Sequence, residues 1–318
     1  MSRRAPAGFA DVFGAIADNV SQVLQGKPEV IELSLLCLIA EGHLLIEDVP
    51  GVGKTSLAKG LAASLDCRWA RVQFTPDLLP SDLVGVTIWN RASNEFEFRP
   101  GSIFANIVLG DEINRASPKT QSALLESMEE RQVTVDGVTR PLDPPFMVIA
   151  TQNPIEHEGT YPLPESQLDR FLMRVSIGYP AREAELEILD SQAGEAPILE
   201  LSPVATVKDV LAMTHAAREV HVAPSLKSYL VELADATRRH PALAIGMSPR
   251  ATLSLQKAAR ARAAASGREY VVPDDLKALA RPVLAHRLVL TPESAMQGVD
   301  TDDVVDDVLR HVPVPQGR

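Results

Sequence analysis

The residues of this sequence best suited to chemistry are those of a phosphate-binding loop. Pro50, Gly51, Val52, Gly53, Lys54, Thr55 and Ser56 lie between a short apolar run, Leu44-Leu45-Ile46, and a helix-forming segment that opens with Leu57-Ala58. Glycines free backbone N–H groups to cradle phosphate oxygens, and the positive end of the following helix reinforces them. Lys54 adds a point charge for the β- and γ-phosphates, and Thr55 offers a hydroxyl to Mg²⁺. In the pattern G-x-x-x-x-G-K-[ST] the first glycine would stand at position 48, where this chain has Asp48.

A phosphate loop needs partners that manage a metal ion and a water. The apolar run Ile107-Val108-Leu109 ends, after Gly110, in Asp111-Glu112. Asp111 is expected to hold Mg²⁺ through its waters, and Glu112 to orient and deprotonate the attacking water. Asn153 follows the apolar run Phe146–Ala150. If the two strands are parallel it shares an end of the sheet with Asp111, where it would contact the γ-phosphate or position water; the alternative is a turn residue before Pro154.

Two arginines, Arg170 and Arg174, flank Phe171-Leu172-Met173. Either is a surface arginine with its stem on apolar neighbours, or an arginine finger that reaches the γ-phosphate of an adjacent subunit. Arg170 is the first choice and Arg174 stays open. Arg250 follows Ser248-Pro249, a cap and first helical position. A cation in a first turn opposes the helix dipole, so Arg250 is read first as a nucleotide sensor with a phosphate nearby, and otherwise as surface charge. Other chemistries find less support. There is no H-E-x-x-H, His157-Glu158 reads as loop, and no G-x-S-x-G is present, although spacing alone leaves a Ser/His/Asp arrangement open.

These residues require a scaffold of alternating strands and helices. Helical spacing covers about 9–25 and 28–41. Strands are expected at 44–47, 69–74, 104–111, 146–150 and 174–177, with helices after the phosphate loop, after Ser117-Pro118 and over 165–172. Strands 69–74 alternate, with Trp69, Arg71 and Gln73 on one face. Hairpins are expected at 86–101 and 131–141, the second with Asp136-Gly137 at its tip. Such alternation predicts an α/β core with a parallel sheet covered on both faces. Beyond Tyr179-Pro180 the pattern turns helical, at about 183–192, 206–219, 225–239, 249–266, 273–286 and 302–310. With 194–203 as linker, residues 1–193 form the nucleotide-binding core and 194–318 a smaller all-α domain.

Composition narrows the setting. At 318 residues the chain is long enough for two domains, and 45% hydrophobic with 23% charged residues is ordinary for a globular protein. The apolar stretch Leu33–Ala40 is far short of the roughly 20 residues a membrane span requires. No apolar segment follows Arg3-Arg4, so no secretory signal is expected, and the isolated Cys37 and Cys67 fit a reducing, cytoplasmic interior. A net charge of −11 argues against a nucleic-acid coating protein. The one basic run, Arg250, Lys257, Arg260, Arg262 and Arg268, reads as a solvated helix face before a nucleic-acid patch.

Together these motifs resemble a known family. Gly51-Val52-Gly53-Lys54-Thr55, Gln73-Phe74-Thr75-Pro76-Asp77, Leu109-Gly110-Asp111-Glu112-Ile113-Asn114-Arg115-Ala116, Gln121–Glu126, Thr151-Gln152-Asn153-Pro154, Leu163–Phe171 and Ser248-Pro249-Arg250 are similar to the MoxR family of AAA+ ATPases over about residues 15–311. The resemblance implies a P-loop NTPase core of AAA+ type with a helical lid, ATP and Mg²⁺ as cofactors, and a homo-oligomeric ring that is commonly a hexamer. It also matches the two hairpins to inserts of relatives that include magnesium chelatase ATPase subunits. It further implies a chaperone-like maturation factor, often working with a protein that carries a von Willebrand factor A domain. A nucleic-acid-stimulated motor and a nucleotide-gated scaffold with little hydrolysis are the alternatives.

Overall fold

The computed structural model describes residues 8–153, 159–180, 182, 185 and 201–315. Two helices, α1 (Phe9–Ser21) and α2 (Pro28–Ile39), precede β1 (Leu44–Glu47), and the phosphate loop leads into α3 (Lys54–Ser64). Then come β2 (Trp69–Gln73), α4 (Pro80–Val84), a hairpin of β3 (Val86–Asn90) and β4 (Glu95–Arg99), β5 (Ile107–Asp111), and α5 (Pro118–Glu130). A second hairpin, β6 (Gln132–Val135) and β7 (Val138–Pro141), precedes β8 (Met147–Gln152), α6 (Glu165–Leu168) and β9 (Met173–Val175).

The central sheet has the order β2-β5-β8-β1-β9, and all four pairings are parallel. Alternation along the strands sends residues to two apolar layers. Leu44, Ile46, Ile107, Leu109, Met147 and Ile149 join one cluster, which continues into α1–α3 and the C-terminal helices. Leu45, Val108, Val148 and Ala150 join the other, against Leu124, Leu125 and Met128 of α5. Both faces are therefore dry, which is what continuous apolar strands require.

The C-terminal part contains α7 (Val207–Glu219), α8 (Pro224–Arg239), β10 (Leu243–Ile245), α9 (Pro249–Ala265), α10 (Pro273–Leu284), β11 (Val289–Leu290), α11 (Pro292–Met296) and α12 (Thr301–His311). Among these helices lies an antiparallel ribbon, β10 with β11, that helical periodicity could not reveal in such short segments. The helix expected over 183–192 and the boundary between 193 and 194 lie outside the described residues, as does the His157-Glu158 loop.

Two boundaries differ from expectation for packing reasons. The helix expected to reach 172 stops at Leu168, because Phe171 is fully buried and the Leu172 N–H donates to the His43 carbonyl at 2.8 Å, starting the sheet edge early. The strand expected from 104 begins at Ile107, after a 3-10 turn over Ser102–Phe104.

Candidate functional site

Because the five strands are parallel, their carboxyl ends share one edge of the sheet, and the loops that leave it carry the phosphate-loop residues and the acid pair. Pro50, Gly51, Gly53, Lys54, Thr55, Asp111, Glu112, Thr151 and Asn153 line a single cleft of about 270 Å³ there, together with Arg71 and Gln73. Val52 instead turns into the apolar core, and Ser56 lies in the first turn of α3. Gly51 and Gly53 have φ of 87° and 102°, a region that side-chain-bearing residues resist, and a Cβ on Gly53 would lie 2.7 Å from Leu24.

Lys54 donates to the Asp48 carbonyl at 2.5 Å. Burial pulls its ammonium below the ordinary lysine range, opposed by the carboxylates of Asp48, Asp111 and Glu112. Asp48 itself has a structural task. One oxygen of its carboxylate accepts from the Ser176 hydroxyl (3.0 Å) and the N–H groups of Ile177 (2.7 Å) and Gly178 (2.6 Å), and the other from Val49 N–H (2.8 Å). The side chain thus ties the start of the phosphate loop to the segment after β9. Gly110 is equally explained: a Cβ there would meet the fully buried ring of Phe74 at 3.1 Å.

The acid pair is held on both sides. Thr151 Oγ1 donates to Asp111 Oδ1 at 3.1 Å and accepts the Glu112 N–H at 2.9 Å, so β8 fixes both residues through one hydroxyl. Glu112 sits in the left-handed region at φ 57°, where a non-glycine residue stores strain on the order of 1–3 kcal/mol, as functional sites often do. On the opposite flank, β2 supplies two side chains from alternate positions. Arg71 pairs with Asp111 Oδ2 through Nε (2.8 Å) and Nη2 (2.7 Å), while Gln73 Nε2 donates to Glu112 Oε2 at 2.9 Å. Arg115 Nε lies 3.3 Å from the same Glu112 oxygen. Arg71, Gln73 and Thr151 were not among the expected site residues, although the alternation of β2 put Arg71 and Gln73 on one face.

The structure separates the arginines from this cleft. Arg170 lies three residues before β9, at the amino edge of the sheet, and its Nε lies 3.2 Å from Glu129 Oε2. Arg250, in the first turn of α9, donates to Glu129 Oε1 at 2.7 Å. Glu129 stands at the far end of α5, where the Met128 carbonyl is also bound by His43 just before β1. Both arginines line a second cleft with Arg131, Asp169 and Arg287. Arg174 lies elsewhere, 3.2 Å from Glu47 and 3.8 Å from Asp302.

A phosphate loop, an acid pair at the end of β5 inside a 2-5-8-1-9 sheet, and a helical segment that brings Arg250 to Glu129 of α5 form a distinctive combination. Residues 43–173 match the family described as ATPase family associated with various cellular activities (AAA), and residues 235–308 match the AAA lid domain. The chain is 41% identical to chaperone MoxR1 of Mycobacterium tuberculosis, across 94% of its own length and 81% of that protein's. It is 30% identical to protein MoxR of Methylorubrum extorquens across 96% of each. The chain belongs to the MoxR family of AAA+ ATPases.

Further likenesses agree with this MoxR assignment. YeaC of Bacillus subtilis, an uncharacterized protein, is 49% identical over 96% of both chains. A crystal structure from Cytophaga hutchinsonii, provisionally described as an ATPase, superposes with a TM-score of 0.91 at 39% identity, covering 97% of this chain and 96% of that one. No helix among the described residues is long and apolar enough to cross a membrane.

Proposed function

We propose that this AAA+ ATPase is Mg²⁺-dependent, works as a homo-oligomeric ring with each nucleotide site shared by two subunits, and remodels or matures a protein client. One observation carries the shared site: the phosphate loop and acid pair stand at the carboxyl edge of the sheet, and Arg170 and Arg250 at the amino edge. At roughly 3.3 Å per strand residue, the six residues of β8 alone span about 20 Å, and the 13 residues of α5 a similar length. An arginine that far from its own phosphates serves those of a neighbour in a ring, most simply a hexamer. Arg250, which the sequence associated with a nucleotide as a contribution of the lid rather than of another subunit, joins Arg170 in this role. Arg174, held between Glu47 and Asp302, takes no part in it.

The residues of the cleft suit their roles. Pro50–Ser56 wrap the phosphates, Lys54 contacts the β- and γ-oxygens, and Asn153 faces the γ-phosphate. Thr55 and the buried Asp111 carboxylate line the same wall, and a hydroxyl plus one carboxylate, with room for waters and phosphate oxygens, fits Mg²⁺. Bound there, the ion would neutralise charge developing on the phosphoryl oxygens. Glu112, with one oxygen fixed by Gln73, presents the other to the attacking water.

The name of the Mycobacterium tuberculosis relative, chaperone MoxR1, supports a chaperone-like role. A von Willebrand factor A domain protein or its client as partner, and a cytoplasmic setting, complete the proposal on the resemblance and composition of the sequence alone. A nucleic-acid motor gains no support. Arg262 and Arg268 of the basic run both pair with the buried Asp275, at 3.7 and 2.6 Å, and Arg250 with Glu129. Phosphate release from Mg²⁺-ATP should fall about 100-fold or more in Glu112→Gln. Equal rates, or stimulation of the wild type by DNA or RNA, would overturn the proposal.

A further inference from the structure

Arg287 closes a 3-10 turn, Ala285–Arg287, at the end of α10 in the lid region. Its side chain is only 3% exposed, and burying a guanidinium costs several kcal/mol unless its N–H groups are well paired. Two of its pairings reach the segment between α6 and β9. Nη1 donates to Asp169 Oδ1 at 3.0 Å, and Nη2 to the Phe171 carbonyl at 2.6 Å. Burial and the adjacent guanidinium hold the neighbouring His286 well below the ordinary histidine range, so Arg287 is the charged member of that pair.

The two groups that Arg287 grips belong to the residues on either side of Arg170. From the opposite side, the same segment is fixed by Leu172 N–H on the His43 carbonyl and by the burial of Phe171. The backbone carrying Arg170 is thus held between the sheet edge and a cation that belongs to the lid. Arg170 keeps only its side-chain torsions, and its guanidinium rests on Glu129, which also holds Arg250 of the lid.

We propose that Arg287 is a positioning residue for Arg170, coupling lid docking in one subunit to the aim of the arginine that this subunit extends to its neighbour's nucleotide. The inference rests on the reading of Arg170 as a residue acting between subunits. A lid that moves with the nucleotide in its own site then loosens or tightens the segment 169–171, and passes that state to the next site around the ring. A misplacement of about 1 Å in such a group costs on the order of 100-fold in rate.

The test uses mixed rings. Arg287→Met should assemble and bind ATP, while phosphate release falls about 10- to 100-fold with KM for ATP changed less than about threefold. Arg287→Lys, which keeps the charge but cannot grip both groups, should fall between. Mixing Arg287→Met with Glu112→Gln subunits should restore release, because the second variant lacks the base yet supplies an intact Arg170. Mixing Arg287→Met with Arg170→Ala should restore none.

Arg170→Ala mixed with Glu112→Gln is the reference. No recovery there refutes the reading of Arg170 itself. Recovery there without recovery in Arg287→Met plus Glu112→Gln overturns the positioning role, as does wild-type turnover in Arg287→Met. If Arg287→Met does not assemble, Asp169→Asn breaks the same ion pair from the other side, and the same mixtures decide.

Discussion

Asp48 replaces the glycine with which most phosphate loops begin, and restoring that glycine should harm the protein. Its carboxylate accepts four hydrogen bonds within 3.0 Å, from Val49, Ser176, Ile177 and Gly178, while being 8% exposed. Hydrogen bonds to a charged group contribute about 1.5–3 kcal/mol each but do not add, and a glycine here also brings about 0.5–1 kcal/mol of backbone freedom. Asp48→Gly should therefore lower unfolding free energy by about 3–4 kcal/mol, and Asp48→Asn, which keeps one acceptor oxygen, by about 1–2 kcal/mol. Burial alone would raise the Asp48 carboxyl, but the donors at Gly178, Ser176, Val49 and Ile177 outweigh it and hold the group below its ordinary value. A depressed folded-state value means that this stabilisation is complete above the unfolded carboxylate pKa of about 3.9 and is lost as pH falls below it. Urea unfolding at pH 7.5, with nucleotide binding followed by a fluorescent ATP analogue, measures both consequences. Stability within about 0.5 kcal/mol of wild type, or tighter nucleotide binding in Asp48→Gly, would refute the tether.

Arg71→Ala should reduce competition for Asp111. A half-exposed ion pair contributes up to about 1 kcal/mol, so half-saturating Mg²⁺ for nucleotide binding should fall up to about fivefold, and an unchanged or higher requirement would contradict this. His43 is buried with Nδ1 accepting the Val148 N–H at 2.9 Å, and burial pushes its pKa down to about 4 from 6.5. Because the unfolded chain binds the proton more readily, stability should be full above about pH 6.5 and fall by up to about 3 kcal/mol on acidification toward 4. His43→Gln should flatten the stability profile across that window, and an equally steep profile would refute this.

Much of the fold was legible because the strands carry their own signal. Ile107-Val108-Leu109 and Met147–Ala150 are apolar on both faces, and only a sheet covered twice can bury such runs. Lys54, Thr55, Asp111 and Glu112, which line one cleft, could be named as candidates because phosphate chemistry constrains type and spacing together. Arg71, Gln73 and Thr151 could not, since an ordinary strand residue becomes part of a site only through register: Arg71 pairs with Leu109, and Gln73 with Asp111. Likewise, that Arg250 lies beside Arg170 depends on how α9 packs against α1 and α2, which brings both arginines to Glu129. Asp48 looked like a departure from a pattern until its partners, the Ile177–Gly178 amides, were visible.

If the site is shared, a subunit cannot hydrolyse ATP well alone, because Arg170 and Arg250 stand at the edge of the sheet opposite Lys54 and Glu112. Turnover per subunit, measured against protein concentration alongside sedimentation, tests this most directly. The rate per subunit should rise steeply over the range in which monomers assemble and level off once rings predominate. A constant rate per subunit down to concentrations at which only monomers sediment would contradict the shared site.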